Sequence, residues 1–197
     1  MHARNVQVGG EVVGMPLGRR RERQERRAER RGELGPVHYK MRQRLVSIGD
    51  DFWIETDSGE RAYKVDGKAL RLRKTLVLED PEGHELAKIQ SRIMRVRDTM
   101  EVEDSDGNRM ALVKKAIISP FRDRWDVEIA DGPDLEVQGN VVDHEYTFTD
   151  GRTPVASVSK KWFRVADTYG VEVAPNQDPV PVLAATVALD MMAHEDR

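Results

Sequence analysis

Clustered basic side chains are the feature of this sequence that most directly suggests binding chemistry. Arg71 and Arg73 stand two residues apart, and Arg95 and Arg97 repeat that arrangement 24 residues later. Alternate residues of a strand point to the same face, so each pair is expected to project together. Guanidinium groups donate paired hydrogen bonds to phosphate. The candidate anion-binding residues are Arg71, Arg73, Arg95, Arg97, Lys160, Lys161 and Arg164.

The same basic residues also suit a surface that binds nothing. Residues 37–197 hold 23 basic and 30 acidic side chains, a net charge of -7. Alternating charges on the solvent side of an antiparallel sheet need no ligand. We therefore weigh three functions: an inert scaffold, a module that binds an anionic membrane surface or a phosphorylated, phosphoinositide-like lipid headgroup, and a nucleic-acid contact.

The N-terminal 36 residues differ from the rest of the chain. They hold nine arginines and five glutamates, and eight of those arginines lie between Arg19 and Arg31, a stretch without an apolar stripe. We expect residues 1–36 to be a disordered or solvated extension, because they cannot bury enough apolar surface to dock on a core. An arginine run can bind nucleic acid by releasing its counterions, so the nucleic-acid contact, if it exists, is expected in this extension. A later translation start, at Met15 or Met41, is a second interpretation.

The residue patterns of familiar catalytic and metal sites are missing from the sequence. There is no cysteine, no phosphate-cradling glycine loop and no Gly-x-Ser-x-Gly elbow. The five histidines are widely separated, at positions 2, 38, 84, 144 and 194. Residues 104–107 carry two aspartates but lack the spaced ligands of an EF-hand loop, so a plain turn is predicted. We expect no enzymatic activity, no cofactor and no metal ion.

His144 is the histidine with the most suggestive neighbours, because Asp143 and Glu145 flank it. Consecutive residues of a strand point to opposite faces, so His144 cannot share a face with either carboxylate if its strand is regular. We therefore favour a structural or exposed histidine over a catalytic one.

Three regularly spaced glycines predict a series of β-hairpins. Gly59, Gly83 and Gly107 lie 24 residues apart, each at the end of a short polar run. Glycine supplies the positive φ that closes a tight turn, and aspartate or serine bonds back to the turn backbone. A 24-residue unit accommodates two strands and two connections. The chain from about residue 37 onwards is therefore predicted to be a hairpin series.

Alternating apolar and polar residues predict strands with one dry and one wet face. Met100 and Val102 flank Glu101, and the same alternation recurs at 146–148 and 171–173. The series amounts to about ten to twelve strands, too many for an open twisted sheet. Closure removes the exposed edges. The predicted fold class is mainly β, a closed antiparallel barrel of ten to twelve strands that encloses one apolar C-terminal helix.

The C-terminal segment supplies that helix, at about residues 179–193. Asp178 is a suitable N-cap, and Pro179 and Pro181 are tolerated in a first turn. The rest of the segment is apolar nearly all round, a pattern typical of a helix surrounded by protein. A barrel of this width needs such a filling. The residues expected in the core are Val180, Leu183, Ala184, Val187, Leu189 and Met191.

Five motifs follow one another along residues 39–193. They are the segment 41–52, Asp98-Thr99-Met100, Asp143-His144-Glu145-Tyr146, Lys160-Lys161-Trp162-Phe163-Arg164 and Asp167-Thr168-Tyr169-Gly170-Val171. As an ordered set they resemble the LURP-one-related family, which belongs with tubby C-terminal domains and phospholipid scramblases. The resemblance implies a closed barrel of about twelve strands around a central C-terminal helix. It also implies lipid-related activities, because tubby domains bind phosphoinositides and scramblases act at bilayers with calcium.

The residues of those two activities have no counterpart that we can match in this chain, so the resemblance carries the fold and not the activity. Scramblase-like lipid handling is accordingly a further alternative. Two segments are expected: the extension over 1–36, and a LURP-one-related, tubby-like barrel domain over 37–197. The sequence contains no apolar run long enough for a membrane span and no secretory signal. We expect a cytoplasmic protein that meets membranes only at their surface.

Overall fold

A computed structural model of the chain describes residues 35–42, 51–67, 75–92, 99–116, 124–162 and 168–195. Residues 36–197 form one compact unit. The predicted extension lies almost entirely outside the described residues. Within the described ranges, no helix combines the length and apolarity that a membrane span requires.

Twelve antiparallel strands close into a barrel. They are Val37–Arg42 (β1), Phe52–Thr56 (β2), Arg61–Gly67 (β3), Thr75–Glu79 (β4), Glu85–Arg92 (β5), Thr99–Glu103 (β6), Arg109–Lys115 (β7), Arg124–Ile129 (β8), Leu135–Asn140 (β9), Glu145–Thr149 (β10), Pro154–Ser159 (β11) and Thr168–Val173 (β12). Each strand pairs with its neighbours in the chain, and β1 pairs with β12 to close the ring. The predicted fold class is confirmed.

The inner face of the barrel is apolar, as the alternation predicts. On β6, Met100 and Val102 are buried while Glu101 between them is partly exposed. On β10, Tyr146 and Phe148 are buried in the same way. Inward apolar side chains supply the hydrophobic stabilisation of the fold, and the polar residues between them remain hydrated.

The predicted turn glycines adopt the backbone conformation that glycine permits. The φ angles of Gly59, Gly83 and Gly107 are 81°, 89° and 83°. At the third turn, the Asp104 carboxylate accepts hydrogen bonds from the main-chain N–H groups of Asp106, at 2.9 Å, and Asn108, at 2.8 Å. Hydrogen bonds from the Asn108 side chain and from the turn backbone lower the pKa of Asp104. The prediction of a plain turn is confirmed, since this carboxylate is used by its own loop.

The two ends of the barrel are built differently. Hairpin turns at 57–60, 80–84, 104–108, 130–134 and 150–153 lie at one end, together with the connection 174–178 that leads into the helix. We call this the helix-entry end. The other end, where β9 passes to β10 through residues 141–144, is the helix-exit end.

Among the described residues, one α-helix, α1, spans Pro179–Glu195 and fills the barrel. Asp178 Oδ1 accepts a hydrogen bond from Val180 N at 3.0 Å, which confirms the N-cap. Val180 itself is only partly buried, contrary to expectation, because it lies in the first turn at the mouth of the barrel. The fully buried residues of α1 include Leu183, Ala184, Val187 and Leu189, and Met191 is 5% exposed.

Gly139 lets β9 and β10 approach more closely than a side chain would allow. Its φ is 134°, and a Cβ at this position would lie 2.4 Å from Glu145 O and 2.7 Å from Tyr146 Cα. Both are backbone atoms, so neither can yield without separating the two strands. Gly139 therefore permits the register in which it lies opposite Tyr146.

The Gly139→Ala variant is expected to lose more stability than the roughly 1–3 kcal/mol typical of an unfavourable backbone conformation alone. The reason is that the overlap with β10 adds to the backbone strain. Gly59→Ala is the matched control, because its φ is 81° and nothing lies within 4 Å of its Cβ position. Urea denaturation measures both. A Gly139→Ala variant no less stable than Gly59→Ala would contradict the close approach.

Candidate functional site

Two of the seven predicted anion-binding residues, Lys160 and Lys161, lie in the described part of the chain. The other five, Arg71, Arg73, Arg95, Arg97 and Arg164, lie outside it. Arg71 and Arg73 belong to the segment that joins Gly67 to Thr75. Arg95 and Arg97 belong to the segment that joins Arg92 to Thr99. These four strand ends lie at the helix-exit end of the barrel.

Lys160 and Lys161 open a 3₁₀ turn, Lys160–Trp162, that follows β11. Glu145 on β10 lies opposite Ser159 on β11. Glu145 Oε2 accepts a hydrogen bond from Lys161 Nζ at 3.1 Å, and Glu145 Oε1 accepts from Ser159 Oγ at 2.9 Å and Lys160 N at 3.2 Å. Ser159 Oγ itself accepts from Lys161 N at 3.1 Å, which leaves its proton for Glu145. Three donors therefore converge on one carboxylate.

The Glu145 carboxylate stays ionised at neutral pH. Burial raises its pKa, but Lys161, Ser159 and the Lys160 N–H together lower the pKa by more, so the net shift is downward. A lowered folded-state pKa means that this pairing is present above the ordinary carboxyl pKa and is lost only as the pH falls through the lowered value. The Lys161 side chain is 81% exposed, so the ion pair contributes at most about 0–1 kcal/mol to stability.

Trp162 follows these lysines as the last residue of the 3₁₀ turn. It is 41% exposed, and its ring meets the edge of His38 with a centroid distance of 5.7 Å. His38 Nε2 lies 2.8 Å from Glu172 Oε2 on β12, so the 3₁₀ turn lies over the outer face of that strand. His38 Nδ1 also lies 3.3 Å from Asp57 Oδ2, so the exposed ring lies on the wall of the barrel, beside a histidine that reaches the helix-entry turn 57–60.

Basic residues on the barrel wall are paired with carboxylates across neighbouring strands. The closest atoms are 2.8 Å apart in Lys64–Asp51, 3.2 Å in Arg92–Glu101 and 2.6 Å in Arg124–Glu136. Lys88–Glu103 and Lys114–Glu128 form further pairs. Cross-strand pairs of opposite charge stabilise a sheet without any ligand. The solvated-face interpretation therefore suits the wall of the barrel.

The helix-entry end is strongly acidic. Its turns, 57–60, 80–84, 104–108, 130–134, 150–153 and 174–178, hold ten carboxylates and one arginine. The N-terminus of α1, the positive end of the helix dipole, lies at this end and is stabilised by the negative charge around it. Anions are repelled from such a surface.

A cavity of about 370 Å³ opens at this acidic end, between the turns 104–108 and 130–134 and the first turn of α1. Met110 and Ile129 supply apolar lining, and three aspartates outnumber the one cation, Arg109. This lining suits a neutral or cationic group better than an anion, so the cavity does not serve the predicted chemistry of the basic residues.

His144 is fully buried, so an exposed histidine is ruled out. The premise of a regular strand is wrong at this position, because His144 lies in the turn 141–144 with a φ of 53°. Its Nε2 lies 2.7 Å from Asp190 Oδ1 on α1. Tyr169 OH donates to Asp190 Oδ2 at 3.0 Å, and the His144 and Tyr169 ring centroids are 4.2 Å apart.

Tyr146 and Thr186 extend this buried polar cluster. Burial and the Asp190 charge raise the pKa of both Tyr146 and Tyr169, so the two phenols stay protonated. Thr186 lies beside Tyr146 and donates its own hydroxyl to Val182 O at 2.9 Å. The His144 and Asp190 side chains are each 1% exposed, too enclosed to meet a substrate. The cluster joins α1 to the β9–β10 connection.

Sequence reasoning missed this cluster, although Asp190 was a signal. Asp190 is the one carboxylate in the apolar stretch 180–193 and needs a buried partner, since an unpaired buried charge is very costly. In the described ranges, no group of three or more histidine, aspartate or glutamate residues is arranged to hold a metal ion. Nothing in those residues points to catalysis.

Comparisons with known proteins agree with this architecture. The sequence model of the LURP-one-related family matches residues 37–190. The uncharacterized protein YxjI of Bacillus subtilis (strain 168) is 27% identical over 156 residues, which cover 79% of this chain and 93% of that protein. The X-ray structure of a protein from Arabidopsis thaliana shares the fold, with a TM-score of 0.60 at 20% identity, over 80% of this chain and 91% of that one.

The family match spans most of the chain, from β1 to the buried Asp190 of α1. The resemblance drawn from the ordered sequence motifs is thereby confirmed. The chain belongs to the LURP-one-related family.

Proposed function

We propose that this protein is a non-enzymatic binding module whose helix-exit end binds phosphate groups at an anionic membrane surface. Family membership and the barrel fold are consistent with a binding module. The lipid-surface ligand is the further step, and the uneven division of charge between the two ends of the barrel supports it. On this proposal the protein works in the cytoplasm and meets membranes peripherally.

The acidic helix-entry end and the paired wall are unsuited to an anionic surface. Ten carboxylates at the helix-entry end repel it. The paired basic residues of the wall already have their charge balanced by neighbours, for example Arg124 by Glu136. An anionic partner is therefore favoured at the helix-exit end.

The sequence of the segments that join strands at the helix-exit end is basic. Segments 43–51, 68–74, 93–98, 116–123, 141–144 and 160–167 contain eleven lysines and arginines against six aspartates. Most of these residues lie outside the described part of the chain. The composition of the segments and the described ends of the strands that they join therefore support the proposal. Their basic residues alternate with leucine, isoleucine, methionine and phenylalanine. Basic and apolar residues combined are typical of segments that associate with anionic membranes.

Vesicle sedimentation tests this proposal. Phosphatidylcholine vesicles that contain an anionic lipid should carry the protein down at low salt, and neutral vesicles should not. Each lysine or arginine near the surface contributes about 1 kcal/mol, and salt screens that attraction. The bound fraction should therefore fall as salt is raised. A protein shortened to residues 37–197 should bind as well as the full chain.

The same truncation separates the alternatives. If attachment to vesicles and to a DNA oligonucleotide is lost together when residues 1–36 are removed, the arginine-rich extension is the binding element and a nucleic-acid contact replaces the proposal. If neither vesicles nor DNA bind either protein, the barrel is an inert scaffold with respect to both.

A further inference from the structure

The Glu145 carboxylate occupies a position that suits an external anion. The ammonium of Lys161, the hydroxyl of Ser159 and the main-chain N–H of Lys160 all donate to it, at 3.1, 2.9 and 3.2 Å. Charged and neutral donors of this kind also bind the oxygens of a phosphate group. The donors are held in place without a ligand, because the Lys161 N–H bond to Ser159 Oγ orients the hydroxyl.

We propose that Glu145 is the internal occupant of a phosphate site and that the phosphate monoester of a ligand displaces its carboxylate from Ser159 and Lys161. This inference rests on the proposed function, since it assigns one contact point at the helix-exit end and the means by which that point is kept neutral in the absence of a ligand.

Displacement is favoured by charge and by exposure. A phosphate monoester carries about -1.5 to -2 charges at neutral pH, whereas a carboxylate carries one, so the ligand attracts Lys161 more strongly. The side chains of Lys161 and Glu145 are 81% and 31% exposed, so solvent weakens the pair that must break. The lowered pKa of Glu145 keeps its carboxylate charged at neutral pH, so acidification is not needed for exchange.

The chain offers a matched control on the wall of the barrel, where Lys40 on β1 lies across β12 from Ser159. Lys40 and Glu55 form an ion pair with an N–O distance of 3.4 Å between β1 and β2, and their side chains are 35% and 34% exposed. Glu55→Gln changes the net charge by the same amount as Glu145→Gln, and Lys40→Gln matches Lys161→Gln. General charge effects on membrane attraction are therefore equal in each pair of variants.

The experiment compares these four variants with the unaltered full-length chain on vesicles of phosphatidylcholine with phosphatidic acid, whose headgroup is a phosphate monoester. Glu145→Gln should bind roughly 2- to 5-fold more tightly than Glu55→Gln, the factor that corresponds to removing one exposed ion pair. Lys161→Gln should bind correspondingly more weakly than Lys40→Gln. Vesicles with phosphatidylserine, a phosphate diester, should show a smaller difference. Circular dichroism checks that each variant is folded.

Inorganic phosphate supplies the second arm. In a heteronuclear NMR titration, the amide signals of Lys160 and Lys161 should shift at lower phosphate concentration in Glu145→Gln than in Glu55→Gln. Shifts with phosphate but no vesicle binding would support the site and overturn the membrane proposal, leaving a soluble phosphate ester as the ligand class. Vesicle binding that is equal within each matched pair, with no amide shifts, would overturn the site and leave the membrane proposal standing.

Discussion

Leu183→Ala should lower the free energy of unfolding by about 2–5 kcal/mol, because Leu183 is fully buried in the part of α1 that fills the barrel. The loss combines the transfer energy of the removed carbons with the cavity that they leave. Such a loss is a large share of the roughly 5–15 kcal/mol that holds a typical domain together. Urea denaturation followed by tryptophan fluorescence measures it.

Leu183→Asp should be more severe, since a carboxylate without a partner would enter the apolar interior. We expect an insoluble or molten protein. Val180→Asp is the control: Val180 lies in the same helix but is only partly buried at the mouth of the barrel, where water can reach the new charge. A Leu183→Asp protein that unfolds cooperatively at the temperature of the unaltered chain would show that α1 is not the core.

Removing one partner of the buried His144–Asp190 pair should cost about 3–5 kcal/mol, because the other partner loses its nearest polar group in the interior. His144→Leu leaves the Asp190 carboxylate with the Tyr169 hydroxyl, and Asp190→Leu leaves the imidazole buried. The double variant should recover much of the loss, since two apolar side chains of similar volume are well tolerated where a buried pair has been removed.

A double-mutant cycle measures the coupling energy of this pair separately from any backbone strain at position 144. The φ of 53° at His144 strains leucine in the single and in the double variant alike, so that strain cancels from the coupling energy. A coupling of at least about 1 kcal/mol is expected for residues in direct contact in one network. Additive losses, with no coupling, would contradict the interaction.

Features that depend on local conformation were predictable from the sequence. The positive φ of Gly59, Gly83 and Gly107 follows from the turn chemistry of a few neighbouring residues. A range of ten to twelve strands and the buried helix follow from periodicity, which shows which faces are dry. The Asp178 cap needs only the residues that begin α1.

Features that depend on register were not predictable. Asp190 lies 46 residues from His144 in the chain, and no periodicity links them. Their meeting requires the turn 141–144 to bring a histidine inward with a left-handed backbone, against the assumption of a regular strand. The contact of Glu145 with Lys161 likewise requires β10 and β11 to pair with Glu145 opposite Ser159. Of the predicted basic cluster, Lys160 and Lys161 are described, and the five arginines remain predictions.

The central claim is that the helix-exit end, and not the helix-entry end, faces an anionic surface. The chain contains no cysteine, so a single cysteine introduced at either end carries one fluorophore without competing sites. Asn140 and Ser105 are exposed positions at the helix-exit and helix-entry ends. When anionic vesicles are added, a polarity-sensitive fluorophore on Asn140→Cys should shift to shorter wavelength, and the same fluorophore on Ser105→Cys should not change. A shift at Ser105→Cys, or at neither position, would contradict the claim.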